Sequence, residues 1–172
     1  MLTLVLGGAR SGKSAFAQRL AHEAETVGMA IAYVATATAL DEEMAARIAR
    51  HRADRPAHWP VIEAPLGLAG TLTAQARPGR LLVVDCLTLW LTNAMLAEPP
   101  VLDAEIPGLL AALPNLPGDV VMVSNEVGMG LVAADPLGRR FVDETGRLHQ
   151  QVAALADRVH LVVAGCPLLL KG

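Results

Sequence analysis

Residues 7–14, Gly7-Gly8-Ala9-Arg10-Ser11-Gly12-Lys13-Ser14, fit the pattern G-x-x-x-x-G-K-[ST]. Its glycines let the backbone curl until several N–H groups converge on a polyphosphate. Lys13 is placed to reach the outer phosphates, and the Ser14 hydroxyl to ligate Mg²⁺. Lysine otherwise occurs only at position 171, so a chance Gly-Lys-Ser at this point in the chain is a poor account of the pattern.

A second group of reactive side chains lies in Asp41-Glu42-Glu43-Met44-Ala45-Ala46-Arg47-Ile48-Ala49-Arg50-His51-Arg52. Acids at the start, bases at the end and a Glu43–Arg47 pair predict a helix over residues 41–52. His51 falls at its end among Arg47, Arg50, Arg52 and Arg55, and two readings compete. One is an ordinary cap at a helix C-terminus. The other is a nucleophile: four arginines can hold a triphosphate, and their like charge favours the neutral imidazole that attacks phosphorus.

Three acids complete the set. Asp85 ends the apolar run Leu81-Leu82-Val83-Val84, a Walker-B-like arrangement that places a carboxylate near Mg²⁺; capping of the helix that follows is the competing role, and the two are compatible. Glu126, in Asn125-Glu126-Val127-Gly128-Met129-Gly130, is a candidate proton acceptor on position alone. Glu63 ends a short segment and by itself reads as a solvated face residue.

These groups need a scaffold that brings strand ends together. Leu2–Leu6, Ala30–Thr36, Leu81–Asp85, Asp119–Ser124 and Arg158–Ala164 read as buried parallel strands, the last closing the sheet, with Val61–Ala64 a shorter one. Helices are expected from Ala15 to Ala21, Leu66 to Ala76, Leu87 to Met95, Pro107 to Leu113 with proline at the first position, and Pro136 to Ala156. The prediction is an α/β fold, a mostly parallel central sheet flanked by helices, in one P-loop nucleotide-binding domain spanning residues 1–172. In such sheets ligands bind outside the carboxyl ends of the strands, so the P-loop, the end of the second strand and Asp85 share one rim. Pro167-Leu168-Leu169-Leu170 reads as an apolar tail, for subunit contact or for packing on the chain's own core.

Composition excludes several functions. Hydrophobic residues make up 53% of the chain and aromatics 3%, so aliphatic packing must supply the core. A net charge of −3 argues against a nucleic-acid coat. Cys86 and Cys166 lack metal-like spacing and no secretory signal precedes the first strand, which points to the cytoplasm and to two small buried hydrophobes. No apolar run spans a bilayer, and the five histidines lack the paired spacing of a zinc site.

With Gly7–Ser14, Asp41 to Pro56 around His51, Asp85-Cys86-Leu87-Thr88 and Asn125–Gly130 in this order, the chain resembles, over essentially its whole length, the bifunctional adenosylcobinamide kinase/adenosylcobinamide-phosphate guanylyltransferases. The resemblance implies a RecA-like P-loop fold assembled as a homotrimer. It implies phosphorylation of the aminopropanol hydroxyl of adenosylcobinamide by ATP or GTP, then transfer of GMP from GTP to adenosylcobinamide phosphate through a histidine–GMP intermediate, releasing pyrophosphate. His51 matches that histidine. The family's nucleotide contacts map onto Gly7, Gly8, Ala9, Arg10, Ser11, Gly12, Lys13, Ser14, Ala35, Thr36, Ala37, Arg52, Ala53, Asp54, Arg55, Glu63 and Asp85. Two other readings are a RecA-like motor, disfavoured by the acidic balance, and a simple small-molecule kinase in which His51 is only a cap.

Overall fold

A computed structural model describes residues 1–38, 42, 46, 49 and 55–172. Among the described residues, seven strands form one sheet: β1 (Leu2–Gly7), β2 (Ala30–Ala35), β3 (Val61–Glu63), β4 (Arg80–Asp85), β5 (Asp119–Asn125), β6 (Arg158–Val163) and β7 (Cys166–Lys171), in the order β3-β2-β4-β5-β1-β6-β7. Every pairing among β1 to β6 is parallel; only β7 runs antiparallel, against β6.

Side chains alternate between the two faces with the strand period of two. Leu4, Leu82, Val84 and Met122 face a cluster built with α2 (Leu68–Gln75), α3 (Leu87–Leu96), α4 (Leu102–Ala112) and α5 (Pro136–Leu155). Val5, Tyr33, Val83 and Val123 face the other way, against Phe16, Ala17 and Ala21 of α1 (Lys13–Thr26). Both faces of the central strands are therefore buried, which is why they read as continuous apolar runs. Asp135 caps α5 by accepting the Gly138 N–H, with Pro136 at the first helical position, a favourable start for both residue types.

Three expectations are corrected. The proline-rich stretch holds a helix that starts at Leu102, so Pro107 lies inside α4. Burial of Leu102 and Leu109 and the acids Asp103 and Glu105 in the first turn outweigh the hydrogen bond that proline removes. β6 does not close the sheet: residues 166–171 form β7, paired to it through a turn at Ala164 and Gly165, both at positive φ. Two positive-φ residues are what a tight two-residue hairpin demands. The apolar Leu168, Leu169 and Leu170 of this edge strand are more than half exposed, so they do not pack on the core, and Cys166 is exposed while Cys86 is buried.

Of the helix expected over residues 41–52, only Glu42, Ala46 and Ala49 are described, each helical and exposed; His51, Arg52, Ala53 and Asp54 lie outside the described residues.

Leu82, fully buried on a central strand, gives a direct check of the core. Leu82→Ala should lower the unfolding free energy by about 2–5 kcal/mol in urea titration. A loss below about 1 kcal/mol would contradict the packing described.

Candidate nucleotide site on the strand-end rim

Because β1 to β6 run parallel, their carboxyl ends lie on one edge. Register fixes the levels there: Gly7 pairs with Asn125, Asp85 with Val123, and Ala35 with both Asp85 and Glu63. Asp85 thus stands beside the P-loop strand with β5 between them.

The turn from β1 into α1 is held by backbone contacts. Ser11 N–H donates to the Gly8 carbonyl, and Gly165 N–H donates to that of Ser11 at 2.8 Å, so the β6–β7 turn braces the loop. A Cβ on Gly7 would lie 2.4 Å from Ser11 Oγ and 2.7 Å from the Val162 carbonyl; only glycine fits. Gly12 takes φ 95° and Arg10 φ 57°, and the latter places local strain of order 1 kcal/mol in the loop.

Gly12 is also the N-cap of α1, and it offers no side-chain cap; no acid occupies the first turn. A helix start with neither cap nor acid presents the positive end of its dipole, which favours an anion there. Lys13 is 7% exposed and its Nζ donates to the Gly8 carbonyl at 3.2 Å, so the ammonium is curled into the loop. Ser14, on the first turn, is half-buried.

Across the rim, Arg55 stacks its guanidinium 3.6 Å from the Tyr33 ring centroid and places Nη2 3.6 Å from Asp85 Oδ2. The Tyr33 hydroxyl donates to the same oxygen at 3.4 Å. Burial, and then the Asp85 charge, push the Tyr33 phenol well above its ordinary value, with Arg55 opposing. Thr36 is fully buried and locks the end of β2 to that of β4. Its hydroxyl donates to the Cys86 carbonyl at 2.7 Å and accepts the Cys86 N–H at 2.8 Å. Arg55 and Glu63 line one cleft of about 390 Å³ with Pro56, Ala57, Trp59 and Val61. Four inter-strand steps separate β3 from β1, so this cleft opens roughly 19 Å along the rim from the P-loop.

At the centre of the rim, Asn125 donates to Thr88 Oγ1 at 2.9 Å. The Glu126 N–H donates to the Gly7 carbonyl at 3.0 Å, and its Oε1 accepts the Gly128 N–H at 2.6 Å. Among the described residues, six side-chain polar atoms are buried without a hydrogen-bond partner: Arg80 Nε, Thr145 Oγ1 and His160 Nδ1 elsewhere in the fold, and Ser11 Oγ, Arg55 Nε and Asn125 Oδ1 here. Buried polar atoms are nearly always paired, and the last three lie along this rim.

The structure therefore brings Gly7–Ser14, Ala35–Ala37, Arg55, Glu63 and Asp85 to one edge. Asp85 is not the cap of α3; Cys86 occupies that position. The sequence reading missed the Tyr33 stack, the Thr36 lock and the Asn125–Thr88 bond. Tyr33 is the chain's one tyrosine and Thr88 sits inside the Asp85–Thr88 motif, but only tertiary contact reveals either role.

A family model described as cobinamide kinase / cobinamide phosphate guanyltransferase matches residues 3–170. The bifunctional adenosylcobalamin biosynthesis protein CobP of Pseudomonas aeruginosa is 56% identical, the match covering 100% of this chain and 98% of the relative. CobU of Salmonella typhimurium, bearing the same bifunctional description, is 42% identical over 99% of this chain and 100% of its own. Among solved structures, the flagellar accessory protein FlaH of Methanocaldococcus jannaschii superposes with a TM-score of 0.52 at 14% identity, over 99% of this chain and 77% of that one. A Pyrococcus horikoshii protein gives 0.53 at 9%, over 99% and 86%. These two likenesses are of fold alone, the RecA-like α/β architecture.

The raised phenol predicts a simple titration. Absorbance near 295 nm should stay flat through the ordinary tyrosine range around pH 10. Because the unfolded phenol ionises there and the folded one does not, stability should fall as pH rises above that value, and the signal should appear only with unfolding. A reversible step at pH 10 in folded protein would contradict the buried Arg55–Tyr33–Asp85 cluster.

Proposed function

The chain belongs to the cobinamide kinase / cobinamide phosphate guanyltransferase family, bifunctional enzymes of adenosylcobalamin biosynthesis acting on small-molecule substrates with ATP or GTP, and from that premise we propose how its residues divide the two reactions. The observation that carries the reading is the uncapped N-terminus of α1 behind a glycine turn with Lys13 folded into it. That arrangement recognises the triphosphate both reactions require.

In the kinase step the nucleoside triphosphate lies with its phosphates on the backbone N–H groups of residues 7–14 and Lys13. The aminopropanol hydroxyl of adenosylcobinamide attacks the γ-phosphorus in line, its proton passes to Glu126, and the nucleoside diphosphate leaves. In the guanylyl step a ring nitrogen of His51 attacks the α-phosphorus of GTP and pyrophosphate leaves. A phosphate oxygen of adenosylcobinamide phosphate then attacks that phosphorus and frees His51, giving adenosylcobinamide-GDP. Two displacements let one nucleotide site serve both partners. Arg52, Ala53, Asp54, Arg55 and Glu63 would form the base and ribose end, and the cleft shared by Arg55 and Glu63 supports that assignment.

Ser14 and Asp85 would hold Mg²⁺. Among the described residues there is no group of three or more acids, histidines or cysteines able to bind a metal, which fits an ion carried mainly by nucleotide phosphates. When bound, it offsets charge on the departing phosphates.

The homotrimer that the family resemblance implies would cover the exposed Leu168, Leu169 and Leu170 of β7, since an apolar sheet edge invites subunit contact. Among the described residues no helix is long and apolar enough to cross a membrane, in keeping with a cytoplasmic enzyme.

His51→Ala should abolish guanylyl transfer and leave the kinase measurable, as assayed on separated corrinoid products. Lys13→Ala should impair both, with GTP affinity reduced at least about tenfold, the loss of roughly one charged phosphate contact. Equal loss of both activities in folded His51→Ala, or intact GTP affinity in Lys13→Ala, would contradict the division.

A further inference from the structure

One buried polar cluster beside the rim is not used by the chemistry above. Ser124, the residue before Asn125, is fully buried, and His149 of α5 is 7% exposed. Their side chains meet at 2.7 Å, Ser124 Oγ to His149 Nε2. The other ring nitrogen, Nδ1, lies 3.9 Å from Glu126 Oε2. Glu126 is pinned to the P-loop through the Gly7 carbonyl and to its own loop through Gly128. One oxygen of its carboxylate is therefore fixed, and the other faces the imidazole.

Hydrogen-bond matching decides how this imidazole is protonated. Burial holds His149 below the ordinary histidine value, with the Glu126 charge opposing, so the ring is neutral near pH 7 and carries one N–H. With that proton on Nε2, the lone pair of Nδ1 would face a carboxylate and repel it. With the proton on Nδ1, the ring donates toward Glu126 while Nε2 accepts the Ser124 hydroxyl, and every group meets its complement. Such contacts in ligand-free sites are commonly long and tighten when substrate arrives.

We infer that His149 is a positioning residue for Glu126 in phosphoryl transfer, fixed in its Nδ1–H tautomer by the Ser124 hydroxyl. This rests on Glu126 acting as the kinase base. The role is confined to one of the two reactions by acceptor chemistry. A hydroxyl must lose a proton as it attacks phosphorus, whereas a phosphate monoester, with its second pKa near 6, arrives already ionised at neutral pH. The orientation of Glu126 therefore matters for the kinase and not for GMP transfer.

The test measures two steady-state reactions on the full chain: phosphorylation of adenosylcobinamide by ATP or GTP, and GMP transfer to preformed adenosylcobinamide phosphate. His149→Asn retains an N–H close to the Nδ1 position; His149→Gln retains one near Nε2 and loses the donor toward Glu126. The expected result is a kinase kcat at least about tenfold lower in His149→Gln, within the range of a misplaced general base. Nucleotide KM and GMP transfer should be unchanged, and His149→Asn should recover most of kcat. A purely structural role predicts similar losses in both reactions, or His149→Gln performing as well as His149→Asn, and either result overturns the inference.

Ser124→Ala removes a single hydroxyl and serves if the histidine variants fail to fold; it should lower kinase kcat several-fold, and a wild-type value would also overturn the inference. Glu126→Gln separates the two levels. Impaired kinase in Glu126→Gln beside full kinase in His149→Gln removes the positioning role alone, whereas full kinase in Glu126→Gln removes Glu126 as base and the inference with it.

Discussion

The structure depends on one constraint: a helix must begin at the end of a fully buried parallel strand without a side chain to cap it. β1 lies between β5 and β6, so its direction is fixed by hydrogen bonds on both sides. The turn after it is fixed by the close approach of Gly7 to Val162 and of Gly12 to Gly165. What remains open is the electrostatics. The first turn of α1 has no side-chain cap and carries the positive end of the helix dipole, and a polyphosphate complements both. The other parallel strands reach that same edge, and this brings Asp85 and Glu126 to the rim that carries the glycine turn.

The remainder of the rim is a set of polar groups buried in mutual contact. Arg55 lies flat on Tyr33 and reaches Asp85; Thr36 ties the ends of β2 and β4; Thr88 holds Asn125. Burying such groups costs free energy unless each finds a partner. The partners found here are mostly within the rim, while Ser11 Oγ, Arg55 Nε and Asn125 Oδ1 are three of the six buried side-chain atoms without a partner among the described residues. A network satisfied internally and incomplete toward the P-loop and the Arg55 cleft is suited to being completed by a ligand.

The central strands and the phosphate loop were legible in the sequence because their signals are local. A short, mostly apolar run, Leu2-Thr3-Leu4-Val5-Leu6, then a glycine turn carrying Lys13 and Ser14, encodes element, position and chemistry together. Where sequence reading failed, tertiary contact had overridden a local rule. Pro107 reads as a helix start, yet Leu102 and Leu109 pay back its missing hydrogen bond by burial. The β6–β7 hairpin was hidden because Ala164 occupies a positive-φ position that usually announces itself as Asn or Gly. Only Gly165 marked the turn, and Leu168–Leu170 looked like a tail. The Tyr33–Arg55 stack and the Ser124–His149 pair join residues 22 and 25 positions apart, beyond the reach of any periodicity.

The most direct test of the central claim, that one P-loop triphosphate feeds both phosphoryl transfer and a covalent histidine step, is to label the protein with GTP. Folded enzyme is incubated with Mg²⁺ and GTP labelled on the α-phosphate, in parallel with GTP labelled on the γ-phosphate, without corrinoid, and resolved under denaturing conditions. The account predicts protein-bound label from the α-position only, acid-labile and alkali-stable, absent from His51→Ala and chased off by adenosylcobinamide phosphate. No α-label on well-folded protein that binds GTP, or label persisting in His51→Ala, would contradict it.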